Sequence, residues 1–426
     1  MKQWFSPFLR PDRNTDRNNR LARNNATRAE RGERGNLPGT KRPKLKKCYN
    51  TDDFRQRAKR KLPSPIFHYI DGGADDESTL RRNTEAFDQL DLVPRVLAGV
   101  EKPDLSVKVL GRELKMPMFF SPTAMQRLFH YEGERGIAAA AEQFGTLFGV
   151  STLGTRSIEE LGQFANTPKL FQIYIHKDPA LTTNLIERCK AAKFDALALT
   201  VDTIVAGNRE RDYLTGMTTP PKLTPRSLLS FAAHPGWTCN YLFRERFDLP
   251  NISKFVAAGT NVKASIPEYI NGQMKRSISW DDVAGMIREW GGPFAVKGVM
   301  SVEDAKRCVE VGASAIMVSN HGGRQLDGSR APFDQLQAIL DAVGGQIEVI
   351  VDGGVRRGTH VLKALALGAT ACSGGRWYLY ALAAGGAAGV ARACKLMRDE
   401  IERDMYLMGC NSLKELKPEM LARRIS

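Results

Sequence analysis

No stretch of the chain is both apolar and long enough to cross a membrane. The longest candidate, Leu379 to Ala391, runs about 13 residues and is broken by Gly385, Gly386 and Gly389. A spanning helix needs roughly 18 to 20, so this run reads as a tightly packed helix or turn inside the fold. The seven cysteines (Cys48, Cys189, Cys239, Cys308, Cys372, Cys394 and Cys410) are odd in number and include no Cys-x-x-Cys pair. That pattern implies a reducing compartment and no zinc site. Only six histidines occur, and no two stand at metal-ligand spacing, so no metal is expected. No Gly-x-Gly-x-x-Gly run opens a dinucleotide-binding unit, which excludes a tightly held NAD.

Charge is present in excess but unevenly. Residues 1–47 hold 14 Lys or Arg against four acids, for +10 of the formal +15, and few apolar residues. Such a segment buries too little apolar surface to offset its ordering entropy, so 1–47 reads as a basic, disordered extension. A solvated tail, a polybasic contact with acidic lipid or nucleic acid, and a transit peptide are its three readings. The barrel shows no basic stripe with interleaved aromatics, so no nucleic acid is expected as partner.

With 426 residues and 42% hydrophobic content, the chain can bury a large core, as one barrel with additions or as two domains. Residues 51 to 61 read as a helix opened by Thr51 or Asp52, and a second helix runs from Pro65 toward Gly72. Leu92 to Leu97 and Leu105 to Gly111 read as strands of a small lid. Eight strand-like runs then alternate with helical ones: 116–121, 146–152, 169–174, 196–202, 294–297, 313–320, 348–352 and 369–374, each but the last followed by a helix-like segment. The pattern predicts an α/β fold, a (β/α)8 TIM barrel with an N-terminal helical and strand lid. The barrel unit spans 48–420 and leaves 421–426 as a tail. The polar ends of successive runs lie 22 to 32 residues apart, except for 95 between Asp202 and Lys297. A long insertion, about 215–277, therefore follows strand 4 on the face where barrel active sites lie.

Every run ends in residues suited to polar contact, and eight such ends in register imply a large polar ligand across the barrel mouth. After strands 7 and 8 come Asp352-Gly353-Gly354-Val355-Arg356 and Gly374-Gly375-Arg376. Glycine turns let backbone N–H groups approach a phosphate, and the arginines add charge-assisted bonds. A mononucleotide held by its phosphate suggests FMN; glycines serving only tight turns are the plainer alternative.

The most informative stretch is Ser314 to Asp327. A buried, β-branched run stops at Ser319-Asn320-His321-Gly322-Gly323-Arg324-Gln325. His321 exchanges a proton near neutral pH, and Arg324 offers a planar fork for a carboxylate. A lone histidine at a strand end is more often structural. This run, however, matches the active-site motif of the FMN-dependent α-hydroxy acid dehydrogenase and oxidase family, which includes L-lactate dehydrogenase, mandelate dehydrogenase and glycolate oxidase. The resemblance extends over about 48–420 and includes the segment from Leu62 through Tyr69 to Asp76. It implies that His321 is the general base, with Asp202 stabilising its imidazolium and Tyr174 contacting the substrate hydroxyl. Arg324, Arg209 and Tyr69 hold the substrate carboxylate. FMN then lies on Pro122, Thr123, Ala124, Ser151, Gln172, Thr200, Lys297 and Ser319, with its phosphate toward Asp352, Gly353, Gly354, Arg356, Gly375 and Arg376. Without the resemblance, Tyr69 reads as a core aromatic and Lys297 as a barrel-end lysine paired with a carboxylate.

Within that family, the run Thr203 to Arg209 is closer to bacterial lactate and mandelate dehydrogenases than to plant glycolate oxidases, and Leu153 replaces a tryptophan of the plant enzymes. Ala124 points the other way, toward oxidases. The expected reaction is oxidation of an L-2-hydroxy acid, L-lactate above all, with electrons passed to a quinone or cytochrome; an oxidase using oxygen and a mandelate-type dehydrogenase are the alternatives. A redox-silent phosphate-binding barrel is disfavoured by the two-arginine clamp. Residues 217–276 carry eight basic and three acidic residues among Leu228, Leu229, Phe231, Trp237, Tyr241, Leu242 and Phe243. This mixture suits an acidic membrane surface. The expected setting is thus peripheral attachment on the cytoplasmic side of the inner membrane, otherwise the cytoplasm; a mobile lid with no membrane role is the alternative for the insertion, and the expected assembly, separately, is a homotetramer.

Overall fold

A computed structural model describes residues 45–217, 224–245, 247–253 and 272–425, all within one compact unit, Leu45–Ser426. The disorder expected of 1–47 falls almost wholly outside the described residues. Order begins slightly before Cys48, because Leu45–Lys47 form a 3-10 turn that buries Leu45.

Eight parallel strands close into a barrel: β1 (Met118–Thr123), β2 (Phe148–Ser151), β3 (Lys169–Ile173), β4 (Ala196–Thr200), β5 (Phe294–Val299), β6 (Ala315–Ser319), β7 (Glu348–Asp352) and β8 (Ala371–Gly374). β8 pairs with β1, so no edge is left open. Each strand coincides with a run expected from the sequence, because strands covered on both faces are apolar almost throughout. Every residue of β4 and of β6 is buried. Several outer helices begin at a serine whose side chain accepts an N–H three residues on: Ser157, Ser279 and Ser301. These caps satisfy helix-start donors and stop each βα turn cleanly.

The last strand is followed by a helix, Arg376–Met408, that includes and extends the run Leu379 to Ala391 read as a packed helix or turn. That helix is kinked at Gly385 and Gly386, the latter at φ 61. Alanines and glycines had masked its length.

The N-terminal end of the barrel is closed by a hairpin, Val107–Val109 paired with Arg112–Leu114. Val109, Leu110 and Leu114 bury against Phe119, Leu147, Leu170, Met317 and Ile350. The other expected lid strand reduces to Leu90–Leu92, while Val96 and Leu97 are exposed. Its partner is Leu421–Arg423, so the presumed tail supplies a strand. The first long helix, Thr51–Lys61, is capped by Asn50, which accepts from Asp53 N at 2.9 Å, rather than by Thr51 or Asp52. Within the insertion, two helices are described, Pro225–Ala232 and Pro235–Phe243.

Candidate active site

At the C-terminal mouth lies a cavity of about 1130 Å3, part of it open to solvent. Pro122, Thr123, Ala124, Ser151, Gln172, Tyr174, Thr200, Lys297, His321, Asp352, Gly353, Gly354, Arg356, Gly375 and Arg376 line it, together with Tyr69, Arg209 and Arg324. Of the residues singled out in the sequence, only Asp202 and Ser319 stand behind the lining. Asp202 backs His321, and Ser319 backs Lys297.

Strand register builds the charged floor. Thr200 lies opposite Lys297, and Asp352 lies between Ser319 and Ser373. Lys297 Nζ is 2.9 Å from Asp352 Oδ2 and donates to Ser319 Oγ at 3.1 Å. Ser319 Oγ and Ser373 Oγ both donate to the Asp352 carboxylate, at 2.8 and 2.7 Å. Burial pushes the Asp352 carboxyl up, but the charge and hydrogen bond of Lys297 together with the Ser373 and Ser121 hydroxyls hold the group down at about 2. Burial likewise lowers Lys297, and Asp352 followed by Asp202 reverse the effect. Both groups are therefore charged at neutral pH, a permanent cation beneath the cavity.

His321 sits at φ 58, a left-handed conformation uncommon outside glycine. The turn directs its Nδ1 to Asp202 Oδ1 at 2.9 Å. Burial raises the Asp202 carboxyl, but the charge and hydrogen bond of His321 and the charge of Lys297 bring it below the usual range. An ionised Asp202 keeps the hydrogen on Nδ1 and leaves Nε2 with its lone pair. Gly298, at φ 109 on a β5 bulge, makes this approach sterically feasible, since a Cβ there would meet Asp202 Cβ at 2.8 Å.

Arg209 and Arg324 converge on the Tyr69 ring, with guanidinium carbons 5.3 and 5.0 Å from its centroid. Burial, then the neighbouring Arg209, pushes Arg324 down to about 10. Asp212, 3.5 Å from Arg209, is the acid near the pair. Two buried cations with one partial partner form a receptor for an anion.

Both Arg324 and Arg376 are held from behind by the end of the helix Ser64–Asp71. Arg324 donates to Tyr69 O and Gly72 O at 2.7 and 2.9 Å; Arg376 donates to Ile70 O and to the same Gly72 O, each at 2.8 Å. Buried Asp71 fixes that helix end through Arg55, Arg211 and Tyr380, at 2.5, 3.1 and 2.8 Å. Sequence reasoning missed Asp71, Tyr380 and Ser373. The Asp71 partners lie 16, 140 and 309 residues away, and no local pattern marks them. Gln325 was quoted only as part of the motif, yet it ties the loop after β4, donating to Asp202 O and Val205 O.

The cavity fits FMN on its own chemistry. Gln172 Nε2 and Thr200 Oγ1 are buried at its wall with no hydrogen-bond partner among the described residues. Buried donors left unpaired are costly, and a heteroaromatic ring with carbonyl and imide edges would satisfy them. Gly353 and Gly375 present bare backbone beside Arg356 and Arg376, as a phosphate requires. Among the described residues no group of three His, Cys, Asp or Glu side chains is placed to hold a metal ion.

Comparison with known proteins agrees. The chain is 40% identical to a glycolate oxidase of Spinacia oleracea over 88% of its length and 95% of the relative. It is also 40% identical to an L-lactate dehydrogenase of Vibrio cholerae, over 87% and 98%. Overall identity thus does not separate the two activities. A crystal structure of the monotopic membrane protein (S)-mandelate dehydrogenase superposes with a TM-score of 0.82 at 32% identity, covering 89% of this chain and 100% of that one. Residues 58–423 match the model of the FMN-dependent dehydrogenase family; the chain belongs to that family, takes FMN as its cofactor and oxidises a 2-hydroxy acid.

Proposed function

We propose that the enzyme is an L-lactate dehydrogenase, converting L-lactate to pyruvate and passing electrons to a quinone or cytochrome. The observation that carries this is the pair of buried guanidiniums, Arg209 and Arg324, facing the same cavity as a histidine whose Nδ1 is tied to an ionised carboxylate. Arg209 and Arg324 bind the carboxylate of the substrate, relieving their mutual repulsion, and Tyr69 adds a hydrogen bond. Burial, then Asp202, raises the Tyr174 phenol well above its ordinary range, so it remains a donor to the oxygen that becomes the ketone. His321 Nε2 accepts the substrate proton, and Asp202 stabilises the resulting imidazolium. FMN would supply the two-electron acceptor when bound, and the Lys297 cation in the cavity lining would favour its reduced form. Leu153 and Phe129 bound the cavity with apolar surface, which suits a methyl group.

Anaerobic titration of the purified holoenzyme tests this. L-Lactate should bleach the flavin bands faster than glycolate or (S)-mandelate, and D-lactate should leave them unchanged. Preferential bleaching by either competitor would reassign the substrate. Ala124 favours a second reading, an oxidase, and the rate of reoxidation by oxygen against a soluble quinone decides between them.

The same proposal includes peripheral attachment to the cytoplasmic face of the inner membrane, and a homotetrameric state measurable by light scattering. Leu228, Leu229, Leu242 and Phe243 on the insertion helices are exposed, beside basic residues such as Arg226 and Arg244, a combination that supports docking on an acidic bilayer. No described helix is long and apolar enough to cross a membrane. Sedimentation with anionic liposomes, with and without residues 217–276 and separately without 1–47, identifies the anchor; absence of binding by the full chain at low salt would refute attachment.

A further inference from the structure

A second cavity, of about 1090 Å3 of empty space, opens beside the first, and Phe129 is the one residue common to both linings. None of the roles above uses it. One wall is aromatic and rigid: Trp237 and Tyr241 stack at 5.1 Å with their planes 9° apart, and the Trp237 indole N–H donates to Leu128 O at 2.8 Å. Another wall is cationic. Lys61, from the end of the first long helix, and Arg244, from the insertion, line the cavity together with His130. The Arg244 guanidinium lies 4.5 Å from the Tyr131 ring centre, and Lys61 Nζ donates to Ala384 O at 2.7 Å.

Nearby acids do not balance this charge. Glu245 is 2.7 Å from Arg156, and Glu132, 3.6 Å from His130 Nδ1, accepts from Ala387 N at 2.6 Å. Burial, then Lys61 and Arg244, drives His130 down to about 4, and burial lowers Lys61 as well. The cavity thus keeps its histidine neutral and presents two exposed cations, Lys61 and Arg244, at its rim, a positive edge open to an anion.

We propose that this second cavity binds a flat aromatic anion, with its ring against the Trp237–Tyr241 wall and its charged group toward Lys61 and Arg244. Aromatic sulfonates and carboxylates, including anionic quinones, have this chemistry. Stacking and charge act on different atoms of such a ligand, so both halves contribute to affinity. The site is separate from the one that holds the hydroxy acid and does not depend on which hydroxy acid is oxidised.

The test is equilibrium titration of the purified holoenzyme with naphthalene-2-sulfonate, read by calorimetry and by quenching of tryptophan fluorescence. Saturable binding to one site per chain is expected, undiminished by saturating L-lactate. Lys61→Met and Arg244→Leu should each weaken it about tenfold, the scale of one charge-assisted bond, whereas Lys61→Arg should keep most of the affinity. Retained turnover of the hydroxy acid certifies that these variants are folded. 2-Naphthol, which lacks the charge, and inorganic sulfate, which lacks the ring, should both bind more weakly than the probe. Absence of saturable binding, displacement by L-lactate, or equal affinity in Lys61→Met and Arg244→Leu would each overturn the proposal.

Discussion

The two ends of the barrel are built from opposite materials: the N-terminal end is plugged by Val109, Leu110 and Leu114 against apolar strand residues, whereas the C-terminal end carries Lys297, Asp352, Asp202 and the four arginines of the cavity wall, Arg209, Arg324, Arg356 and Arg376. Apolar packing at the closed end gains free energy from each group removed from water. At the open end, each buried charge costs desolvation that only a neighbouring charge or a ligand returns. One end is therefore where stability is generated and the other where it is given up for chemistry. Substitutions at the two ends should separate cleanly in their effects.

The largest effect is expected at the open end. His321→Gln removes the proposed base while leaving the residues that face the flavin, so the protein should remain yellow. Turnover should fall by roughly 10²- to 10⁴-fold or more, the usual worth of a positioned base. Stopped-flow measurement of flavin reduction by L-lactate checks it; fast reduction in the variant would require another base.

At the closed end, Leu114→Ala leaves a cavity against Phe119 and Leu170. It should cost about 2 to 5 kcal/mol of stability, as large-to-alanine changes in a packed core do, with kcat/KM of the remaining folded enzyme unchanged. Denaturant unfolding and steady-state kinetics on the same sample measure both. A change in KM would mean that the two ends are coupled through the barrel interior.

Arg324→Lys is a smaller chemical change with a specific consequence. Lysine keeps a charge but loses the planar fork and the bonds to Tyr69 O and Gly72 O. Loss of most activity with FMN retained is expected, of the order of 10- to 100-fold in kcat/KM, corresponding to about 1.4 to 2.7 kcal/mol. Unchanged kcat/KM would exclude Arg324 as the carboxylate clamp.

The same contrast explains what could be read in the sequence. The eight strands were legible because a parallel barrel strand is buried on both faces and shows as an unbroken apolar run ending at a polar residue. The strand-end part of the cavity lining was legible because each run stops at a polar residue, whereas Tyr69, Arg209 and the flavin-facing role of Lys297 were legible only through the family resemblance. Contacts made across the chain were not. Asp71 sits in an ordinary helix end, and its worth comes from Arg55, Arg211 and Tyr380, brought to it only by folding. The strand Leu421–Arg423 was missed because a three-residue strand has no period to detect and its partner lies more than 300 residues earlier. The final helix was legible only as a packed helix or turn over Leu379 to Ala391, and its full length was not, because Gly385 and Gly386 mimic a turn. Asn50 was overlooked as a cap because Thr51 and Asp52 beside it are equally good capping residues, and only the hydrogen bond to Asp53 N decides.

The finest test of the contrast is acid. Asp352 has an ordinary carboxyl pKa near 3.8 that the fold lowers to about 2, because Lys297 and the Ser373 hydroxyl outweigh its burial. A group lowered on folding adds stability that is complete above its unfolded pKa and is lost as pH falls through the folded one. The Asp352 contribution is therefore present above about pH 4 and disappears between about 4 and 2. In Asp352→Asn the floor keeps its shape but loses this titration, leaving Lys297 buried without its counterion. The variant should be less stable at pH 7, and the gap from the parent should narrow as pH falls from about 4 toward 2. Leu114→Ala, an apolar truncation that removes no titrating group, should instead keep a constant gap from the parent across the same range. Urea titrations of the three proteins at pH 7, 4 and 3 decide it; a gap for Asp352→Asn that stays fixed between pH 4 and 3 would show that the Lys297–Asp352 pair contributes no net stability through its charge.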